Sequence, residues 1–175
     1  MSEIETQAIE RSTAEAFLHH YNAQERADYR VGGIAGPGQS PDVQCVNSAG
    51  AHLWLEITTT EDNPGDTKAL LGRSNHKSRD ALRGILRDTK KGEEKLRINR
   101  LSGNVANVLI GRLRRKFRKR YGSPVALVVR ETSGVPWDWD TVLPLLRDTF
   151  SGTSIPFDRG VWILSRDKNR LTRLF

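Results

Sequence analysis

Alternating apolar and polar positions over residues 42–47 and 51–58 predict two β-strands joined by Ser48-Ala49-Gly50. Gly50 stands where a three-residue hairpin loop needs a left-handed residue. If Asn47 pairs with Ala51, then Asp42 opposes Glu56, Gln44 opposes Trp54 and Val46 opposes His52. Val43, Cys45, Leu53, Leu55 and Ile57 form the apolar face of this hairpin, and Asp42 and Glu56 share the other. A slip of one residue would turn Asp42 away from Glu56.

The same patterning predicts the remaining elements. Residues 3–25 read as a helix with Phe17, Leu18 and Tyr21 as its stripe and Ser12 with Glu15 as a capping box. Asp28 to Ile34 is an expected strand, followed by a glycine-rich loop to Ser40-Pro41. That loop lacks the Gly-Lys-Ser/Thr of a phosphate loop and opens a strand. A helix is expected from about Lys77 to Thr89, broken by Lys90-Lys91-Gly92, within a basic insertion over about 66–103 that faces substrate. Val105, Leu109, Leu113, Phe117 and Tyr121 recur every four residues and predict a helix over about 104–121, with Ser102 as N-cap and Gly122 just beyond its end. Val125 to Val129 is a continuous apolar run of the kind found in a buried strand. Asp140 is the expected N-cap of a helix over 141–150. A terminal hairpin then pairs Gly160–Leu164 with Leu171–Phe175, and Trp137 and Trp139 suit core or staple positions. The whole is one α/β domain over 1–175.

Charge changes this picture at one place. The chain carries 28 Lys and Arg against 21 Asp and Glu, a net charge of +7. Residues 104–121 hold seven of the basic residues and no acid, so the entire excess lies on one helix. At about 100° per residue, Arg112, Lys116 and Lys119 flank the apolar stripe while Arg114, Arg115 and Arg118 point outward. Such a face favours nucleic-acid contact over a merely solvated surface. A single cysteine excludes an internal disulfide and suits a reducing compartment. With no apolar run of membrane-spanning length and an acidic start unlike a signal peptide, the expectation is a cytoplasmic protein away from membranes.

Directly opposed side chains have Cβ atoms only about 4.5–5.5 Å apart, so Asp42 and Glu56 should share a proton or bind a cation. A hard divalent ion with oxygen ligands resolves that repulsion, and Mg²⁺ is the usual one beside phosphates. Ser40-Pro41-Asp42 followed by Glu56-Ile57-Thr58 on the next strand resembles the PD-(D/E)XK nuclease superfamily. The resemblance spans about residues 12–130. It implies a restriction-endonuclease-like core, a mixed central β-sheet flanked by helices, and hydrolysis of phosphodiester bonds, foremost in DNA. In that family the Asp and Glu hold the metal, here Mg²⁺ or Mn²⁺ on Asp42, Glu56 and the Ile57 carbonyl, with Glu15 as a further acid from the first helix. The family's lysine two residues beyond the Glu is replaced by Thr58, which can hydrogen-bond the attacking water but brings no charge. Lys116 is the expected replacement, with Lys68 and Lys119 as rivals. Nucleases of this kind often pair to cut both strands, which leaves a homodimer open. The alternative is an inactive relative that binds nucleic acid or a protein through Arg112, Arg114, Arg115, Lys116, Arg118 and Lys119.

Overall fold

The computed structural model describes residues 3–36, 38–60, 94–132, 137–165 and 170–175, with only the backbone described for 94–105. They form an α/β protein with three helices and a six-stranded mixed sheet. In chain order these are α1 (Glu3–Glu25), β1 (Arg30–Ile34), β2 (Val43–Val46), β3 (His52–Thr59), α2 (Glu94–Phe117), β4 (Val125–Arg130), α3 (Trp139–Thr149), β5 (Val161–Ser165) and β6 (Arg170–Arg173). The strands lie in sequence order across the sheet. β2 runs antiparallel to both β1 and β3, β3, β4 and β5 run parallel, and β6 returns antiparallel. Parallel neighbours need a crossover, and α2 and α3 lie on the two crossovers.

The hairpin has the expected register: Val43 pairs with Leu55, Gln44 with Trp54, Cys45 with Leu53 and Val46 with His52. Gly50 adopts φ 78° and its N–H donates to the Asn47 carbonyl at 3.0 Å. Period-two alternation then sorts the sheet into two cores. On one side Val43, Cys45, Leu53, Leu55 and Ile57 pack with Ala14, Phe17, Leu18 and Tyr21 of α1 and with Trp162. On the other, Leu109, Ile110 and Leu113 of α2 and Val142 and Leu146 of α3 cover Val125, Leu127, Val129, Val161 and Ile163. β4 is buried on both faces, which accounts for its unbroken apolar run. Cys45 is a packing residue whose thiol is pushed up to about 12 by burial.

Four local expectations need correction. Ser12 does not cap α1, because the helix begins at Glu3. The Ser12 and Thr13 hydroxyls instead donate to the Ile9 carbonyl and accept from Arg130 Nη1, at 2.9 and 2.7 Å, fastening α1 to the end of β4. α2 begins at Glu94, so Ser102 lies inside it and residues 94–103 belong to that helix rather than to an insertion. It also ends at Phe117, short of Tyr121, and Gly122 is not its first residue beyond. α3 starts at Trp139 with Asp138, not Asp140, as N-cap. Its start is set by the buried Glu131 carboxylate, which accepts from Trp137 N–H at 2.7 Å and Trp139 Nε1 at 2.9 Å. The expected helix at Lys77–Thr89 and the turn at 167–169 lie outside the described residues. No helix among those described is long and apolar enough to cross a membrane.

Candidate active site at the end of the hairpin

β2 starts at Val43, which leaves Asp42 at its entrance, one residue before the pair Val43–Leu55. Asp42 Oδ2 accepts from the Ile57 N–H at 2.6 Å, so the loop is tied to β3 beside Glu56. Glu56 shares a sheet face with Trp54 and Thr58 and points to the α2 side. It is 1 % exposed, and three donors close around it. Ser40 Oγ donates to its Oε2 at 2.6 Å, while Lys116 Nζ and Tyr121 Oη, at 3.3 Å, donate to Oε1. Lys116 Nζ lies 3.5 Å from the Ile57 carbonyl as well.

The lysine therefore reaches the carboxylate from a helix, not from β3. Thr58 stays half-buried on the same face as Glu56. Lys116 is the last-but-one residue of α2, whose apolar stripe seats on the sheet and swings this position over β3. One turn earlier, Arg112 Nη1 donates to the Thr59 carbonyl and Oγ1, pinning the helix along the strand. Tyr121 can reach Glu56 because the helix stops at Phe117 and the chain turns back.

Electrostatics single out two carboxyls and a phenol. Asp42 is pushed up to about 6, first by burial and then by Glu56, against the opposing pull of the Ile57 N–H, Lys116 and Lys119. Glu10 of α1 is pushed up to about 7 by burial and by Asp42 and Glu56, with Lys116 pulling the other way. The Tyr121 hydroxyl is raised by burial and by Glu56. Glu10 and Asp42 line a cavity of about 390 Å³ between α1 and the glycine-rich loop. Glu15, the helix acid expected here, is exposed and faces away. The signal for Glu10 is in the spacing: Glu10, Ala14, Phe17 and Tyr21 form one helical stripe, with an acid where an apolar residue belongs. Ser40 and Tyr121 were not foreseen as partners of Glu56; a turn serine and a stripe tyrosine carry no such signal.

Among the described residues no three His, Cys, Asp or Glu side chains form a ready metal-binding group. A Mg²⁺-like ion that keeps part of its water shell needs only one or two carboxylates, and Asp42, Glu56 and the Ile57 carbonyl supply hard oxygen donors of that kind. Two carboxyls raised by burial and by neighbouring carboxylate charge are also what a cation would relieve. The residues fit such an ion in charge and donor chemistry. Of the rivals to Lys116, Lys119 is exposed yet acts on Asp42 electrostatically, and Lys68 lies outside the described residues. Arg114 and Arg115 are exposed, as the helical wheel requires, and Arg118, just beyond the end of α2, is exposed too. Comparison of the chain with models of known families, with curated proteins and with solved structures returns no match.

Proposed function

We propose that this protein is a divalent-metal-dependent nuclease of the PD-(D/E)XK kind, hydrolysing phosphodiester bonds in DNA. The observation that carries the reading is Lys116: its ammonium lies on the Glu56 carboxylate and near the Ile57 carbonyl, the neighbourhood of the lysine missing at position 58. A hairpin bearing the acids, then a helix, then a parallel strand also supports a restriction-endonuclease-like core.

In this reading Asp42, Glu56 and the Ile57 carbonyl would hold Mg²⁺ or Mn²⁺. Such an ion lowers the pKa of a bound water and stabilises charge on the phosphate. Ser40 and Tyr121 fix the Glu56 carboxylate, and the Ile57 N–H fixes Asp42, so the oxygens keep their places. Lys116 orients the attacking water and opposes the charge that develops on the phosphate. Glu10, with its carboxyl near 7, can exchange a proton at neutral pH.

A metal titration with a nicking assay on plasmid and single-stranded DNA tests the reading. Cleavage with Mg²⁺ or Mn²⁺ that disappears in chelator is the expected result. One observation favours the second reading, an inactive relative that binds nucleic acid: Glu56 is buried and both its oxygens are already engaged. If wild type is inert while Thr58→Lys cleaves, the natural protein is a disarmed relative.

The exposed basic residues should bind the backbone. Charge reversal of Arg114, Arg115 and Arg118 is expected to weaken DNA binding at least tenfold, about 1.4 kcal/mol. It should also flatten the log–log salt slope by roughly 3, because neutralised phosphates release counterions. Helical content should stay the same, since these side chains point to solvent. Unchanged affinity by fluorescence anisotropy would reduce this face to a solvated surface.

A further inference from the structure

The polar face of the hairpin holds a cavity that the chemistry above does not use. Gln44 and Trp54, opposed across β2 and β3, join Gln39, Ser40 and Pro41 in lining a space of about 530 Å³. This is the size range of pockets that hold small organic ligands. Among the described residues its lining contains an indole, two primary amides, a hydroxyl and aliphatic or glycine positions, and no charged side chain. Trp54 is half-buried, packed on its inner side against the α2-side core. Gln44 Nε2 is engaged with His52 Nδ1 at 2.9 Å, and its Oε1 faces the bare backbone of Gly33. Gln39 Oε1 accepts from the Gly36 N–H at 3.2 Å, which leaves its Nε2 as a donor.

Among these described residues a phosphate would meet no cation, a cation would meet no carboxylate, and an aliphatic chain would strand the amides. A neutral, planar ring with donors and acceptors on its edge satisfies both the indole and the amides. The cavity also adjoins the carboxylates, because Ser40 lines it while its Oγ donates to Glu56.

We infer that this cavity receives an unpaired nucleobase of the strand being cut, stacked against Trp54 and read by Gln44 and Gln39. The inference rests on the nuclease reading and sharpens it. A base inside a duplex is paired and stacked and cannot enter, so the preferred substrate is single-stranded DNA or a site with an unpaired nucleotide.

The test is binding measured by anisotropy in chelator, so that no strand is cut. Three labelled probes of equal length are compared: a single strand, its duplex, and a single strand built of abasic residues. Wild type should hold the intact strand about tenfold more tightly than the abasic one, the scale of one base–aromatic stack. Trp54→Ala should remove that advantage and leave duplex and abasic binding unchanged, and Gln44→Ala should reduce it. The wild-type comparison of intact and abasic strands needs no variant, so a misfolded Trp54→Ala protein does not shield the idea. Equal binding of the two strands by wild type overturns it, as does an advantage that survives Trp54→Ala. Base-dependent binding without metal-dependent cleavage would overturn the nuclease reading and leave the base pocket standing. Cleavage with base-independent binding would do the reverse.

Discussion

Lys116→Ala is expected to lose roughly 3–5 kcal/mol of stability at pH 8, the cost of stripping a buried carboxylate of its counter-ion. Glu56 is 1 % exposed, and without Lys116 its remaining side-chain donors among the described residues are Ser40 and Tyr121, both neutral. Adding Glu56→Gln should recover most of the loss, since it removes the charge and keeps the shape. Urea denaturation of wild type, the single variant and the double variant at pH 8 measures both effects. A single variant within about 0.5 kcal/mol of wild type, the scatter of ordinary surface changes, would show that Lys116 does not hold Glu56 in solution. If the protein cleaves DNA, the same variant should lose roughly a hundred- to thousandfold in turnover, the usual scale for removing one charge-stabilising donor. Binding in chelator should change far less.

Asp42→Asn should separate the same residue's roles in folding and in catalysis by moving them in opposite directions. In the folded protein Asp42 titrates at about 6 instead of its ordinary 3.8, so its ionised form opposes folding. That penalty is absent below about pH 4, grows as pH rises through the folded value, and is complete above it. Removing the charge should therefore stabilise the metal-free protein at pH 8 by on the order of 2 kcal/mol and leave it nearly unchanged at pH 4. Asn still offers an oxygen to the Ile57 N–H, so the loop keeps its tie. Mg²⁺ should raise the melting temperature of wild type and not of the variant. Metal-dependent cleavage should fall by roughly a thousandfold or more, as expected when charge stabilisation at the reacting phosphate is lost. DNA binding should hold or tighten, because a negative charge near the phosphates has gone. A variant less stable than wild type at pH 8, or one that still cleaves, would remove Asp42 from the site.

Much of this arrangement was legible along the chain. Hairpin register follows from two alternating runs and one glycine, because a slip of a single residue would bury one row of polar side chains and expose the apolar row. Asp42 lies one residue beyond the last pair of that register, where its carboxylate takes the Ile57 N–H beside Glu56. The seat of α2 on the sheet follows from its four-residue repeat, and with it the placing of Lys116 beside the stripe and Arg114, Arg115 and Arg118 in solvent. These features depend on local period, which the sequence carries openly.

Only tertiary structure decided the rest, because the contacts involved are remote in sequence. Ser40 to Glu56 spans 16 residues, Lys116 to Glu56 spans 60 and Tyr121 to Glu56 spans 65. No local rule says which of several lysines closes such a gap; the packing of α2 against β3 does. The choice of Glu10 over Glu15 was likewise set by which face of α1 the sheet buries, and a capping motif within the helix pointed to the wrong residue. The start of α3 shifted because Glu131, at the end of β4, holds Trp137 and Trp139. Sequence by itself determined the two hairpin pairings, β2 with β3 and β5 with β6, and the apolar face of the β2–β3 hairpin, since these follow from the period of neighbouring residues. Which side chains meet Glu56 was decided by helices docking on a twisted sheet, where a single turn of helix moves a charge from solvent into the site.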